Sequence, residues 1–416
     1  MKYRALFSVH TMTNRPPAHV LPRLATAAGT GHLADQIALT AVPLLAVASF
    51  GLGPEQIGML VAIQGGAWFV ASLPAGTLVD RYTGRLPALI AQTLAAVALA
   101  LAGLAVMHGR PIAFTVCAFL AALGAVVVTL AVGTLVPRLV AGDDLPRANS
   151  RIELSRALAS ISAPIITAAS AIWPPAAMIV AAIVAGLASR LIMCLPPLPT
   201  ASPGRRRDLT VILAGAAFVR GEPVLRALAL CAICWNFAFF ALVAIFLPFA
   251  VERTGLDAAS ATMSQGAFGV GSVAAAVLAP RLVAHAQPRR ILVAGPVVSV
   301  LAATLIGGAG ASRNAVLPAV GFALLGFGPM LWLVCQTTLR QLVTPPMLLG
   351  RVTGAIQMAI YGARPLGALA AGLVAARHGL DAGMALVVLG FAASAAVAIL
   401  SPLGRLRAMP EAAAST

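Results

Sequence analysis

Asp35 and Arg364 place formal charge deep inside long apolar runs of this 416-residue chain. Charge in such surroundings is expensive, so it marks chemistry or a specific pairing. Asp35 lies about 11 residues into a run over 24–49, ~16 Å along at the helical rise. An ionised carboxylate at that depth must find a partner or take up a proton. His32 sits one turn earlier on the same face. Asp35 with His32 could load and release a proton, the chemistry of ion-coupled transport; a structural acid tied to a neighbouring helix would look the same in sequence. Arg364 cannot usefully lose its proton, so it needs an anion, backbone carbonyls or a water-filled cavity. A carboxylate or catecholate on a bound molecule would serve, and so would a permanent pair with Asp35. Gln64, Asn236, Gln265, Gln336, Gln357 and Tyr361 are the polar groups expected to line such a cavity, with Trp68, Trp235 and Trp332 as aromatic walls. Any of them can instead simply join helices.

Other chemistries lack their residues. An enzyme embedded in apolar surroundings would need clustered nucleophiles, acids or metal ligands. The six histidines are scattered, and only His32 has an acid, Asp35, three residues on within an apolar run. Cys231-x-x-Cys234 has redox or zinc-ligand spacing, but it falls inside an apolar run and reads as small packing residues. The expectation is a protein that is not an enzyme and carries no metal or cofactor.

The elements that must position these residues are helices crossing a membrane. The chain is 60% hydrophobic and 10% charged, with mean hydropathy +0.96, where a globular domain is about 25% charged. Twelve runs are long enough to span a bilayer: 24–49, 57–79, 87–107, 111–136, 152–172, 175–195, 225–249, 260–283, 291–311, 315–339, 352–376 and 382–402. Prolines recur inside them, which membrane bundles tolerate. Of the 28 Lys and Arg, 22, Arg156 among them, fall on one side if both termini are cytoplasmic. Four fall on the other, and Arg190 and Arg364 lie within runs. That bias sets a positive-inside orientation. The net charge of +16 then reflects topology and attraction to anionic lipid. A nucleic-acid partner would need a folded basic domain, and none is evident. Residues 1–23 are basic without a signal-peptide core. The long connection, 196–224, carries Arg205-Arg206-Arg207 and then an amphipathic stretch suited to the inner surface.

An internal repeat organises the runs. Gly76-Thr-Leu-Val-Asp80-Arg81-Tyr-Thr-Gly84-Arg85 is a charged turn between two runs, and a degraded copy begins at Pro280, 204 residues on. Leu145-Pro146-Arg147 matches Leu349-Gly350-Arg351 at the same offset, and Ala163-Pro164-Ile165 matches Arg364-Pro365-Leu366 at 201. Three landmarks in one order make a duplicated bundle, a transporter signature. The expected domains are a six-helix bundle over 1–195, a cytoplasmic linker over 196–224, and a second bundle over 225–416.

Gly76-x-Leu78-x-Asp80-Arg81 resembles the first half of the loop 2–3 motif of the major facilitator superfamily. Leu73-Pro74-Ala75-Gly76, Ala267-Phe268-Gly269-Val270-Gly271 and Pro365-Leu366-Gly367-Ala368 resemble its branch of enterobactin exporters and macrolide efflux proteins. The motif's later glycine falls on Thr83, and its first late arginine on Gly84, with Arg85 kept. The antiporter motif of the fifth span is replaced by Ala163-Pro164-Ile165-Ile166-Thr167-Ala168. The resemblance implies an all-α integral membrane protein, twelve transmembrane helices in two pseudo-symmetric six-helix bundles. It further implies that Asp80 sits at the cytoplasmic start of the eleventh helix, latching the halves when the inner gate is closed. Arg81 and Arg85 would pair with acids or lipid phosphates; an ordinary solvated turn is the alternative. The function implied is export of a small amphipathic, siderophore-like or drug-like molecule by alternating access, driven by protons. The site is the bacterial inner membrane, and the protein is expected to act as a monomer. An importer of an anionic nutrient, and a sensor or scaffold, are the alternatives.

Overall fold

Proline and glycine set the breaks between the helices. The computed structural model describes residues 20–82, 84–139, 145–196, 209–312, 314, 316–345 and 348–410. In chain order α1 is Val20–Ala48, α2 Pro54–Arg81, α3 Arg85–Met107, α4 Pro111–Leu139, α5 Leu145–Ala169, α6 Ala176–Met193 and α7 Leu209–Gly221. They are followed by α8 Pro223–Phe249, α9 Ala258–Ser264, α10 Gly266–His285, α11 Pro288–Ser312, α12 Val316–Val343, α13 Leu349–His378 and α14 Leu380–Leu400. Four of them, α2, α4, α8 and α11, begin on proline, whose missing N–H costs nothing in a first turn. Gly84 turns the chain from α2 into α3 with φ +83°, and a Cβ there would lie 2.6 Å from the Thr134 hydroxyl. Backbone conformation and lack of space both require glycine at 84.

Among the described residues, eleven spans are long and apolar enough to cross a membrane. The 28-residue α2 lies against α4 and α13 among them. Large apolar side chains on the outer faces are open, such as Leu94, Ile112 and Ile183, as lipid-facing positions should be. A groove of about 700 Å³ between α2, α3 and α4 is lined by such residues and faces lipid rather than the interior.

The repeat is visible in the packing. In the first half α1 packs on α5 and α6, α2 on α4, and α3 on α4 and α6. In the second half α8 packs on α13 and α14, α10 on α12, and α11 on α12 and α14. The two patterns superpose helix for helix. The halves meet along α2–α13 and α5–α10, pairs that a two-fold exchange of halves interconverts. One expectation needs correction. The charged stretch 76–85 is not a turn throughout, because α2 continues to Arg81 and only residues 82–84 lie between helices. The eighth span stands as one membrane-length run from Ala258, divided into α9 and α10 only by Gln265, whose backbone stays helical.

The seam is shut on the arginine-poor side. A Cβ on Gly58 would lie 2.8 Å from the Ala368 carbonyl and 2.9 Å from Gly372 Cα, and one on Gly269 would strike the Ile161 backbone. One buried apolar cluster runs through both halves there, from Ile37, Ile57 and Phe114 to Ile245, Phe246 and Phe391. Toward the arginine-rich side the cores separate. Leu24, Leu135 and Ile152 form a cluster confined to the first half; Leu225, Leu292, Leu339 and Val352 form one confined to the second. The bundle therefore opens toward its arginine-rich face.

Candidate functional site

Arg364 stands on α13 one residue before Pro365, at the seam between the halves. Its Nε donates to Asn236 Oδ1 on α8 at 3.1 Å. The guanidinium carbon lies 4.8 Å from the Tyr361 ring centroid, 5.0 Å from Phe240 and 5.8 Å from Trp68. Trp68 and Tyr361 have centroids 5.0 Å apart. So α2 from one half and α8 and α13 from the other surround one cation with π faces, which attract it. Gly65 of α2 faces this cluster, with Arg364 Cβ and the Phe240 ring at ordinary contact distance from the position a Cβ would take. Ion pairs at the described residues join Arg156 to Glu153 and Arg253 to Asp381; none joins Arg364 to Asp35. The permanent pair considered from sequence is not formed in this state. Phe240 was not expected from the sequence, where phenylalanine in an apolar run gives no signal.

Asp35 and His32 line a second, smaller space on the first-half side, together with Gln92 of α3, Thr129 of α4 and Arg156 of α5. Gln92 is buried, and its Nε2 donates to the Ala185 carbonyl of α6 at 3.4 Å. Arg156 had been counted with the cytoplasmic arginines. It lies about three turns into α5, with its Nε buried. Charge counting passed over it because it lies only at the start of the run 152–172, beside Arg147 and Arg151.

The other expected residues scatter. Gln64 is buried in α2 with its Oε1 unpartnered. Gln336 is buried in α12 and donates to Thr337 Oγ1 at 3.0 Å. Trp332 packs against Gly295 of α11, within the second half, and Trp235 donates to Ser299 and stacks on Phe239. Gln265 is the junction of α9 and α10, and Gln357 is half-buried on α13. Gly76, Asp80 and Arg81 lie in the last turns of α2, but their side chains are outside the described ones. Arg85 has no acid partner among the described ion pairs: its Nη2 donates to the Met193 carbonyl at 2.8 Å, capping the end of α6.

Two repeated sets of helices, closed on one face and open on the other, with charge at the seam, define an alternating-access membrane transporter. The profile of the Major Facilitator Superfamily matches residues 24–368, and the chain belongs to that superfamily as a multi-pass membrane transporter. The enterobactin exporter EntS of Shigella dysenteriae serotype 1 (strain Sd197) is 26% identical over 348 residues, 80% of this chain and 82% of that protein. EntS of Escherichia coli O139:H28 is 26% identical over 347 residues, with the same coverage. Among solved structures, the nucleoside transporter NupG matches with TM-score 0.74 at 14% identity, covering 92% of this chain and 98% of that one. A bacterial homologue of the human lysosomal transporter Spinster, inward-facing and unoccupied, matches with TM-score 0.73 at 15%, covering 94% and 97%. The D-xylose–proton symporter matches with TM-score 0.68 at 14%, covering 93% and 97%.

Proposed function

We propose that this transporter exports a small amphipathic molecule bearing an aromatic acid or catecholate group, in exchange for protons. It works by rocking of bundles 1–195 and 225–416 about the α2–α13 and α5–α10 seam. The observation that carries the reading is Arg364: a cation at the seam with aromatic faces around it and no carboxylate paired to it. A guanidinium flanked by rings can pair with an anion and stack an aromatic group at once. The relatives named as enterobactin exporters support the same chemical class. Asp35 is the acid available to carry the exchanged proton. Both termini and the linker 196–224 are read as cytoplasmic from the arginine bias, which makes the described conformation inward-open in the bacterial inner membrane.

Proteoliposomes holding the purified protein, with enterobactin as the probe and an imposed pH gradient, test this. Gradient-driven uphill movement, lost in Arg364→Ala, is the expected result. Accumulation in the opposite direction would make the protein an importer, and a protein that binds without flux would be a sensor.

A further inference from the structure

The space between α1, α3, α4 and α5 holds a cation that the reading above does not use. Its volume is about 20 Å³, room for roughly one water molecule. Asp35 and His32 enter from α1, Arg156 from α5, Gln92 from α3 and Thr129 from α4. Arg156 Nε is buried and has no hydrogen-bond partner. Its Nη1 reaches the other way, to Glu153 Oε1 at 3.1 Å, and the Glu153 side chain is 60% exposed. One guanidinium thus borders a half-buried carboxylate and binds a solvated one. The other charged or titratable groups acting on the site are His32 on α1 and Arg364 and Tyr361 from α13. Gln92 and Thr129 do not titrate, the α6 residue at the wall is Ala185, and no residue of α2 or α8 lines the space.

We propose that Arg156 is the counter-charge of the coupling-proton site, pairing with Asp35 when that carboxylate is ionised and with Glu153 when it carries the proton. The inference rests on Asp35 being the proton carrier. A hydronium ion gives its proton to an Asp35 oxygen and leaves as water; Arg156, freed from Asp35, is neutralised by Glu153. Loss of the proton reverses both steps, so no lone charge is stranded in the apolar interior, where it would be costly. The arrangement seen, with Arg156 on Glu153 and the bundle open on its arginine-rich face, is the proton-loaded one.

Infrared spectroscopy of the purified full-length protein in bilayers tests the assignment by following the protonated-carboxyl band that Asp35→Asn removes through a pH titration. Arg156→Gln should raise the midpoint of that band by about one pH unit or more, the usual effect of losing a nearby opposite charge. Glu153→Gln should lower it, because Arg156 then answers to Asp35 alone. Arg156→Lys, which keeps the charge, should stay near wild type. Unmoved midpoints in Arg156→Gln and Glu153→Gln, with the band still lost in Asp35→Asn, would overturn Arg156 as counter-charge and leave the proton carrier standing. Should Arg156→Gln fail to fold, an unmoved midpoint in Glu153→Gln alone overturns it. Absence of any titrating band sensitive to Asp35→Asn would remove the proton carrier and the proposal together.

Discussion

At the residue scale, the proposed function gives the two interior charges different work, so they should fail differently. Asp35→Asn fixes the neutral form of the side chain, so uphill transport driven by a pH gradient should vanish while downhill exchange of substrate persists. Full gradient-driven transport in that variant would show that another group carries the proton. Arg364→Ala removes a charge-assisted contact worth about 1.5–3 kcal/mol, so binding of an anionic aromatic substrate should weaken roughly 10- to 100-fold. Equilibrium binding to the reconstituted protein reads this directly, and an unaltered affinity would reduce Arg364 to a helix-joining role with Asn236. Both charges were legible in the sequence because each interrupts a long apolar run. Arg156 was not, since at the edge of a run a functional arginine and a positive-inside arginine look alike. Phe240 was invisible for the opposite reason: one aromatic among many apolar residues acquires a role only when α13 brings Arg364 over its ring.

At the element scale, the seam depends on side chains that are missing. Gly58 and Gly372 bring α2 and α13 into backbone contact, the close approach that small residues permit in membranes. Gly58→Leu must push the helices apart on the arginine-poor side. Overpacking of this kind costs about 1–3 kcal/mol, enough to shift a two-state equilibrium by roughly 5- to 150-fold. The variant should therefore favour the opposite-facing state, seen as faster modification of a single cysteine on the arginine-poor face. No change in rate would mean that the seam is not the gate. The interruption at Gln265 is local, since its backbone stays helical. Asp257 caps the start of α9, accepting from Ala259 N, Ser260 N and the Ser260 hydroxyl, whereas α10 begins after Gln265 with no side-chain cap. Bonding from the Ser260 hydroxyl, with the backbone N–H bonds, holds the Asp257 carboxyl below the usual carboxylate range. Its contribution to local stability is complete above that range and fades as the pH falls through the lowered value. Helix existence was readable from hydropathy throughout. The interruption at Gln265 was not, because a single residue leaves the apolar average unchanged. The extension of α2 to Arg81 was hidden likewise, since a charged end reads as a turn.

At the scale of the whole molecule, orientation and gating become one question. With the proposed orientation the open face is toward the cytoplasm, and the separated clusters around Leu135 and Leu339 make that face the one that must close. Single cysteines, introduced at Arg220 and Arg110 in a background lacking the five native ones, test the placement. A membrane-impermeant reagent outside intact cells should modify the second and spare the first; the reverse pattern would invert the topology and turn the described state outward-open. The latch is then judged against a fixed orientation. Asp80 ends α2 beside Arg81, where a carboxylate meeting the start of α13 would face the positive end of a helix, worth about 0.3–1 kcal/mol and more when shielded. Because that contact can exist only with the arginine-rich face shut, its loss should leave the described conformation intact and deplete the other. Asp80→Asn should accordingly slow transport at unchanged membrane level. It should also raise the modification rate of a cysteine replacing Gln357, assayed from the cytoplasmic side. A latch energy near 1 kcal/mol limits the change to about fivefold, so a complete loss of transport would indicate a role beyond gating. Unchanged transport together with unchanged accessibility would return the motif to a solvated helix end.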